Sequence, residues 1–337
     1  MKLPPFEYVA PKSLTKACEL LRDKKSKAIP IAGGTDLLMA LKNRLKTPCR
    51  LVDLSMLPRP LHQMSYSTKR GLILGGLVSL RQAANHTAVR DKYPMLVQAL
   101  LSVGSPQLQV MGTLGGNLCQ DTLCVYYNRS PMLRQTLEPC HKLGGKICHA
   151  VRGSKTCWAT YCGDVAPALL ALQAKIKIVG PNSEKVIPLQ RFYSADGKKP
   201  NVLKPGDILT EIQVPPPRPR SGGAYLKLRI RKAIDYPLLG VGLSLSLRNG
   251  EAICEEANLA LTGVERAPLL IQEAETLQGK RLEDKIVEGL AEAAYRRAHP
   301  VNTVCELTPK YRKDMVRVYV MEAVHLAIQQ ASKGGVL

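Results

Sequence analysis

The sequence predicts an α+β fold in two parts, and three observations lead to it. In residues 1–220, short apolar runs that read as strands alternate with amphipathic helical stretches, punctuated by glycine pairs in "IAGGTDLL" and "GTLGGNL". A Pro-rich break, "VPPPRPRSGG", closes that region, and residues 221–337 turn to alternating strands followed by long helices. One stretch fits neither style. "NLCQDTLCVYYNRSPMLRQTLEPCHKLGGKICHAVRGSKTCWATYC", Asn117 to Cys162, holds six of the ten cysteines and almost no hydrophobic periodicity.

The elements follow in order. "SLTKACELLRDK" has helical spacing with Ser13 at its N-cap, and "AIPIAGGTDLLMALKNR" reads as a short strand, Gly33-Gly34, and a helix from Thr35 to Arg44. "CRLVDLS" and "GLILGGLVSL" read as buried strands, and "SLRQAANHTAVRDKYPMLVQALLSVGS" as mostly helical. After the cysteine-rich stretch, "CGDVAPALLALQAKIKIVGPN" resumes as helix then strand. In the second part "AYLKLRIRKAIDYPLLGVGLSLSLRNGEAICEEANLALTGV" alternates, with Asn249-Gly250 as a hairpin turn. Two helical stretches, from "LLIQEAETLQGK" to "IVEGLAEAAYRRA" and "KYRKDMVRVYVMEAVHLAIQQA", complete it.

Composition narrows the class. A hydrophobic content of 45% describes a globular chain, and no apolar run reaches the ~20 residues that span a bilayer. "MKLPPFEYVAPKSL" lacks the apolar core and cleavage site of a secretory signal. A cytoplasmic location is therefore expected, with thiols reduced and clustered cysteines serving as metal ligands or redox groups. Lys+Arg 48 against Asp+Glu 27 leaves +21, but the basic residues are scattered, and 2 Phe and 1 Trp leave few rings to stack on bases, although 12 Tyr are present. Nucleic acid is the weaker expectation. A solvated basic surface, an acidic protein partner and an anionic ligand stay open.

Two motifs carry chemistry. A strand delivering Gly33-Gly34 to a helix start leaves backbone N–H groups free and lets a phosphate approach without a Cβ in the way. The pair at Gly115-Gly116, flanked by Thr113 and Asn117, follows a second expected buried segment. Two such loops suit a pyrophosphate held from two sides, although neither is a G-x-G-x-x-G or Walker sequence.

"AGGTDLL", "TLGGNL", "GDVAPALLAL", "GDILTEIQVP" and "YLKLRIRKAIDYP", in this order, resemble the FAD-binding (medium) subunit of the molybdenum hydroxylase, or xanthine dehydrogenase, family. The resemblance runs over nearly the whole chain. It implies a FAD-binding domain over 1–220, carrying an iron–sulfur insertion at 119–162, and a C-terminal α+β domain over 221–337. It implies that Ala32, Gly33, Gly34, Thr35, Asp36 and Leu37, with Thr113, Gly116 and Asn117, clasp the FAD pyrophosphate. It further assigns Asp164 to the polar parts of FAD, and Leu209 and Lys227 to the surroundings of the isoalloxazine ring. Without the family, Lys227 reads as an exposed strand lysine.

In the ordinary family pattern the "GGN" loop runs within a few residues into the "DxxPAL" helix. Here more than forty residues separate Asn117 from Asp164, so the cysteine-rich stretch is an insertion. A segment of that length without a core needs a staple, and soft thiolates suit zinc or an iron–sulfur cluster. Spacing alone does not choose the ligands: Cys119/Cys124 and Cys157/Cys162 share one spacing, and His141 and His149 could replace a thiolate. A resemblance to 4-hydroxybenzoyl-CoA reductases, whose flavin subunit has a [4Fe–4S] insertion, selects Cys124, Cys140, Cys148 and Cys157. Cys119 and Cys162 then read as buried, inert thiols, and Cys18, Cys49, Cys254 and Cys305 as packing residues.

The implied function is electron transfer. The route resembles a ferredoxin-like carrier, [4Fe–4S], FAD, a [2Fe–2S] small subunit and a molybdenum-cofactor large subunit, in paired heterotrimers that dehydroxylate 4-hydroxybenzoyl-CoA. No molybdenum-site motif occurs in the chain. Rival readings are the flavin subunit of a purine or aldehyde hydroxylase, a zinc-stapled nucleic-acid-binding protein, and a scaffold that has lost its cofactor.

Overall fold

The computed structural model describes residues 3–248, 252–304 and 307–333. Asn249-Gly250 and Cys305 lie outside the described residues. Among these residues three sheets form, and helices pack between and around them.

The chain opens with β1 (Glu7–Val9), α1 (Leu14–Arg22), β2 (Ile29–Ile31), α2 (Leu37–Lys42) and β3 (Arg50–Asp53). The strands make a parallel sheet in the order β1-β3-β2. Ser13 caps α1 as expected, its Oγ accepting from Lys16 N at 3.2 Å. The helix expected from Thr35 starts later, because Gly34 turns the chain at φ 71° and only Leu38 N first reaches back, to Gly34 O at 2.9 Å.

Next come β4 (Met64–Ser67), β5 (Gly71–Gly75), α3 (Leu80–Asn85), α4 (Thr87–Lys92), α5 (Pro94–Ser102), α6 (Pro106–Met111) and α7 (Leu114–Leu118). Ser79 and Gln82 form a reciprocal capping box that starts α3 just past the β5 turn. The insertion holds α8 (Pro131–Gln135), a short 3-10 helix at His141–Leu143 and two isolated bridges, joined by turns and irregular chain. α9 (Val165–Ala171), β6 (Lys175–Val179), β7 (Glu184–Pro188) and β8 (Ile208–Val214) follow, giving an antiparallel sheet in the order β4-β5-β8-β6-β7. The two glycine pairs are not equivalent. Gly115-Gly116 lie inside α7, and the segment before them, expected to be buried, is a helix ending in exposed Val110 and Met111.

The last part is an antiparallel sheet of β9 (Ser221–Leu228), β10 (Leu239–Leu247), β11 (Cys254–Thr262) and β12 (Leu269–Ile271), backed by α10 (Asp284–Arg297) and α11 (Pro309–Ser332). The sequence puts Leu269–Ile271 in a helix; instead they pair with β11, where closing an open sheet edge outweighs the local helical pattern. Along β10, Leu239, Val241, Leu243, Leu245 and Leu247 face the core under α10 and α11. The opposite face carries glycines because α9 lies against it: a Cβ on Gly242 would sit 2.7 Å from Pro167 backbone atoms. Tyr225 and Ala260 join the core of the first part, so both parts share apolar packing. Cys18 and Cys254 are buried as expected, whereas Cys49 is exposed. No helix of the described residues is long and apolar enough to cross a membrane.

Gly242→Val forces α9 off the sheet and is expected to lower unfolding free energy by about 2–3 kcal/mol. Gly289→Ala, in α10 with open space around it, is expected to raise it by about 0.5–1 kcal/mol. Urea denaturation of the two variants checks both signs.

Candidate functional site

The loop after β2 presents its backbone outward. Among the described residues, the N–H groups of Gly33, Gly34, Thr35, Asp36 and Leu37 meet no acceptor, and α2 has no side-chain cap. Five unpaired donors in succession make a nest suited to an anion. The second loop is different. Leu114 N bonds Val78 O, Gly115 N bonds Gly76 O at 2.8 Å, and Gly116 N bonds Thr113 Oγ1 at 3.1 Å, so its amides are internally used.

The loops touch backbone to backbone. A Cβ on Gly33 would lie 1.9 Å from the Met111 carbonyl oxygen, and one on Gly115 would lie 2.8 Å from Gly76 O. A Cβ on Gly76 would in turn lie 2.5 Å from Leu209 O, which brings Leu209 of β8 to the same region. Thr113 is buried and caps α7, Gly116 is exposed, and Ala32 and Leu37 are half-buried. Asn117 Oδ1 accepts from Val165 N at 3.3 Å and so joins the second loop to α9. The Gly75-Gly76 turn is a part of this region that the sequence reading passed over, although its glycine pair was visible in "GLILGGLVSL".

Asp164 and Lys227 are brought together, and neither is exposed. Lys227 Nζ lies 3.0 Å from Asp164 Oδ1, with side chains 3% and 5% exposed, and it also donates at 2.8 Å to the carbonyls of Ser102 and Asp235. Tyr225 Oη donates to Asp164 Oδ1 at 2.7 Å. Burial pushes the Asp164 carboxyl above the ordinary carboxylate range, against the pull of Lys227 and Tyr225. The exposed-lysine reading of Lys227 is thus wrong. Strand alternation could not reveal the neighbours that cover it.

The insertion organises around its thiols. Cys124, Cys140, Cys148 and Cys157 line one small cavity, and all four are free. Cys124 lies in the field of Cys140 and Cys157, and Cys157 in that of Cys148 and Cys140; burial pushes the Cys124 thiol up to about 11. His141 and His149 border the cavity, but each Nε2 is bonded to a carbonyl, of Ser154 at 2.9 Å and of Glu138 at 2.8 Å. Among the described residues no group of three or more His, Cys, Asp or Glu is placed to hold a metal ion. Cys119 and Cys162 do not line this cavity, and burial pushes both thiols up to about 12.

The comparisons with known proteins agree with one another. Residues 4–217 match the FAD binding domain in molybdopterin dehydrogenase, and residues 224–327 match the CO dehydrogenase flavoprotein C-terminal domain. The aldehyde oxidoreductase FAD-binding subunit PaoB of Escherichia coli (strain K12) is 32% identical over 260 residues, 73% of this chain and 77% of that one. The carbon monoxide dehydrogenase medium chain of Afipia carboxidovorans is 29% identical over 334 residues, 97% and 98% of the two chains. A solved Cu,Mo-CO dehydrogenase in its cyanide-inactivated form superposes with TM-score 0.78 at 26% identity, covering 98% of this chain and 100% of that one. These matches define a FAD-binding oxidoreductase subunit. The chain belongs to the FAD-binding medium-subunit family of the molybdenum hydroxylases and CO dehydrogenases.

Gly33→Ala would wedge the first loop away from Met111. Flavin titration of the apoprotein is expected to show at least tenfold weaker FAD binding, about 1.4 kcal/mol, with the fold retained. Unchanged affinity would move the pyrophosphate away from this loop.

Proposed function

We propose that this flavin subunit passes electrons between a [4Fe–4S] cluster in its insertion, FAD, and the clusters of partner subunits. Four free thiols bordering one cavity, in an insertion that ends at Cys162, carry the reading. A single zinc ion needs its sulfur donors about 2.3 Å from one point. An iron–sulfur cluster spreads its thiolates over several irons. A set of four thiolates around one cavity suits an iron–sulfur cluster. Cys124, Cys140, Cys148 and Cys157 would hold it, and a reducing, cytoplasmic compartment suits their free state.

When bound, FAD exchanges one or two electrons and so links single-electron carriers to two-electron chemistry. The unpaired amides of Gly33 to Leu37 would bind its pyrophosphate, with Ala32 leading in from β2. Thr113, Gly116 and Asn117 would border it from α7, where the exposed Gly116 lets the phosphate approach closely. Leu209 would border the isoalloxazine. Asp164 and Lys227, satisfied by each other and by Tyr225, would support the site by holding α9 against β9; a direct contact to FAD would have to share those bonds.

The complex we propose adds a molybdenum-cofactor large subunit and a [2Fe–2S] small subunit, in paired heterotrimers. Its reaction would be reductive dehydroxylation of 4-hydroxybenzoyl-CoA, fed by a ferredoxin-like carrier. A second reading keeps both cofactors and serves an aldehyde, which the 32% identity to an aldehyde oxidoreductase subunit favours.

Anaerobic purification with iron, zinc and flavin assays tests the core of this reading. A brown-yellow protein with about four irons and one FAD per chain is expected. Zinc without iron would sink the electron port. The charge of +21 suits an acidic carrier, so reduction by ferredoxin is expected to slow several-fold between low and high salt. A rate independent of ionic strength would remove ferredoxin docking from the proposal.

A further inference from the structure

Lys142 has no part in the assignments above, yet its ammonium is the cation at the thiol cavity. The side chain is 4% exposed, borders the cavity with the four cysteines, and its charge acts on Cys157. Its Nζ lies 2.8 Å from Asp121 Oδ1, 2.9 Å from Thr122 O and 2.5 Å from Thr122 Oγ1. The Tyr127 ring covers it at 4.9 Å. Burying an ammonium costs several kcal/mol unless negative charge offsets it, at roughly the scale known for buried ions. The partner here is one carboxylate, Asp121, which is 24% exposed and also shared with Lys46 at 3.6 Å. Four cysteine thiolates would supply the rest of that negative charge.

We propose that Lys142 is a positioning residue that sets the reduction potential of the cluster, with Asp121 as its counterweight. The inference rests on the reading that the four cysteines hold the cluster. Reduction adds one electron and breaks no bond, so the negative charge at the site grows by one. A fixed ammonium beside it favours the reduced form, and a fixed carboxylate disfavours it. The pair also stands toward the first glycine loop, since Asp36 lies in the field of Lys46, Asp121 and Lys142. Its charge therefore acts between the two sites that exchange electrons.

The test uses the full chain purified without air, with iron counted and the cluster titrated with dithionite under paramagnetic-resonance detection. In Lys142→Gln, the reduced-to-oxidised ratio at the wild-type midpoint is expected to fall about tenfold, a shift of about 59 mV downward for a one-electron couple. Asp121→Asn is expected to shift the midpoint upward, and Lys142→Arg to stay near wild type. Opposite signs separate a charge effect from loosened packing, which would move both variants the same way. Should Lys142→Gln lose iron, the signs in Asp121→Asn and Lys142→Arg decide. Unmoved midpoints, or shifts of one sign, in variants with full iron overturn this inference alone. A wild-type chain without iron overturns both it and the cluster reading beneath it.

Discussion

The buried pair of Asp164 and Lys227 is the joint that the two parts of the molecule share. Asp164 lies just past the insertion, at the N-cap of α9; Lys227 comes from β9 of the last sheet. The three donors of the ammonium all find acceptors, in Asp164 and in the carbonyls of Ser102 and Asp235. Tyr225 adds a further donor to the carboxylate. Four separate stretches of chain thus meet at one pair of charges. Such a pair stands inside a protein only when its geometry and remaining hydrogen bonds offset desolvation, and here both conditions are met.

That joint sets the height of α9 above the last sheet, and the glycines follow from it. Gly242 is where the helix backbone presses on β10, and Gly33, Gly115 and Gly76 are where loops of the first part press on one another. Backbone in contact with backbone leaves no volume for a side chain, so each contact holds its position tightly. The nest of unpaired amides from Gly33 to Leu37 is built on this framework, which gives donors of a flexible type of residue a defined direction.

The insertion hangs from the same framework by polar ties instead of a core. Leu123 and Thr160 bridge its two ends, Val125 N bonds Thr303 O, and Thr160 Oγ1 meets Thr303 Oγ1 at 2.5 Å. On its other side it reaches the chain just beyond α2: Tyr127 Oη bonds Leu45 O at 3.4 Å and Arg134 bonds Arg44 O at 3.2 Å. The segment that gathers the thiols therefore grips the end of the helix that follows the first glycine loop. A disturbance of one site has a short mechanical route to the other.

Periodicity and local chemistry alone were enough for the helix cap at Ser13, the buried strands, and the glycine pair after β2, because each depends on neighbours close in sequence. Two features at the margins were misread for the same reason. Leu269–Ile271 became a strand through pairing with β11, and Gly115-Gly116 became part of a helix capped by Thr113. The four thiols were selected by resemblance, since spacing alone left the histidines and two further cysteines open. What only the tertiary structure decided was which charges lose their water. Lys227 and Lys142 look alike in sequence to the many exposed lysines, and they differ because distant segments close over them and leave them one carboxylate each. Burial is a property of the whole chain, and it turns an ordinary lysine into one whose charge has to be answered.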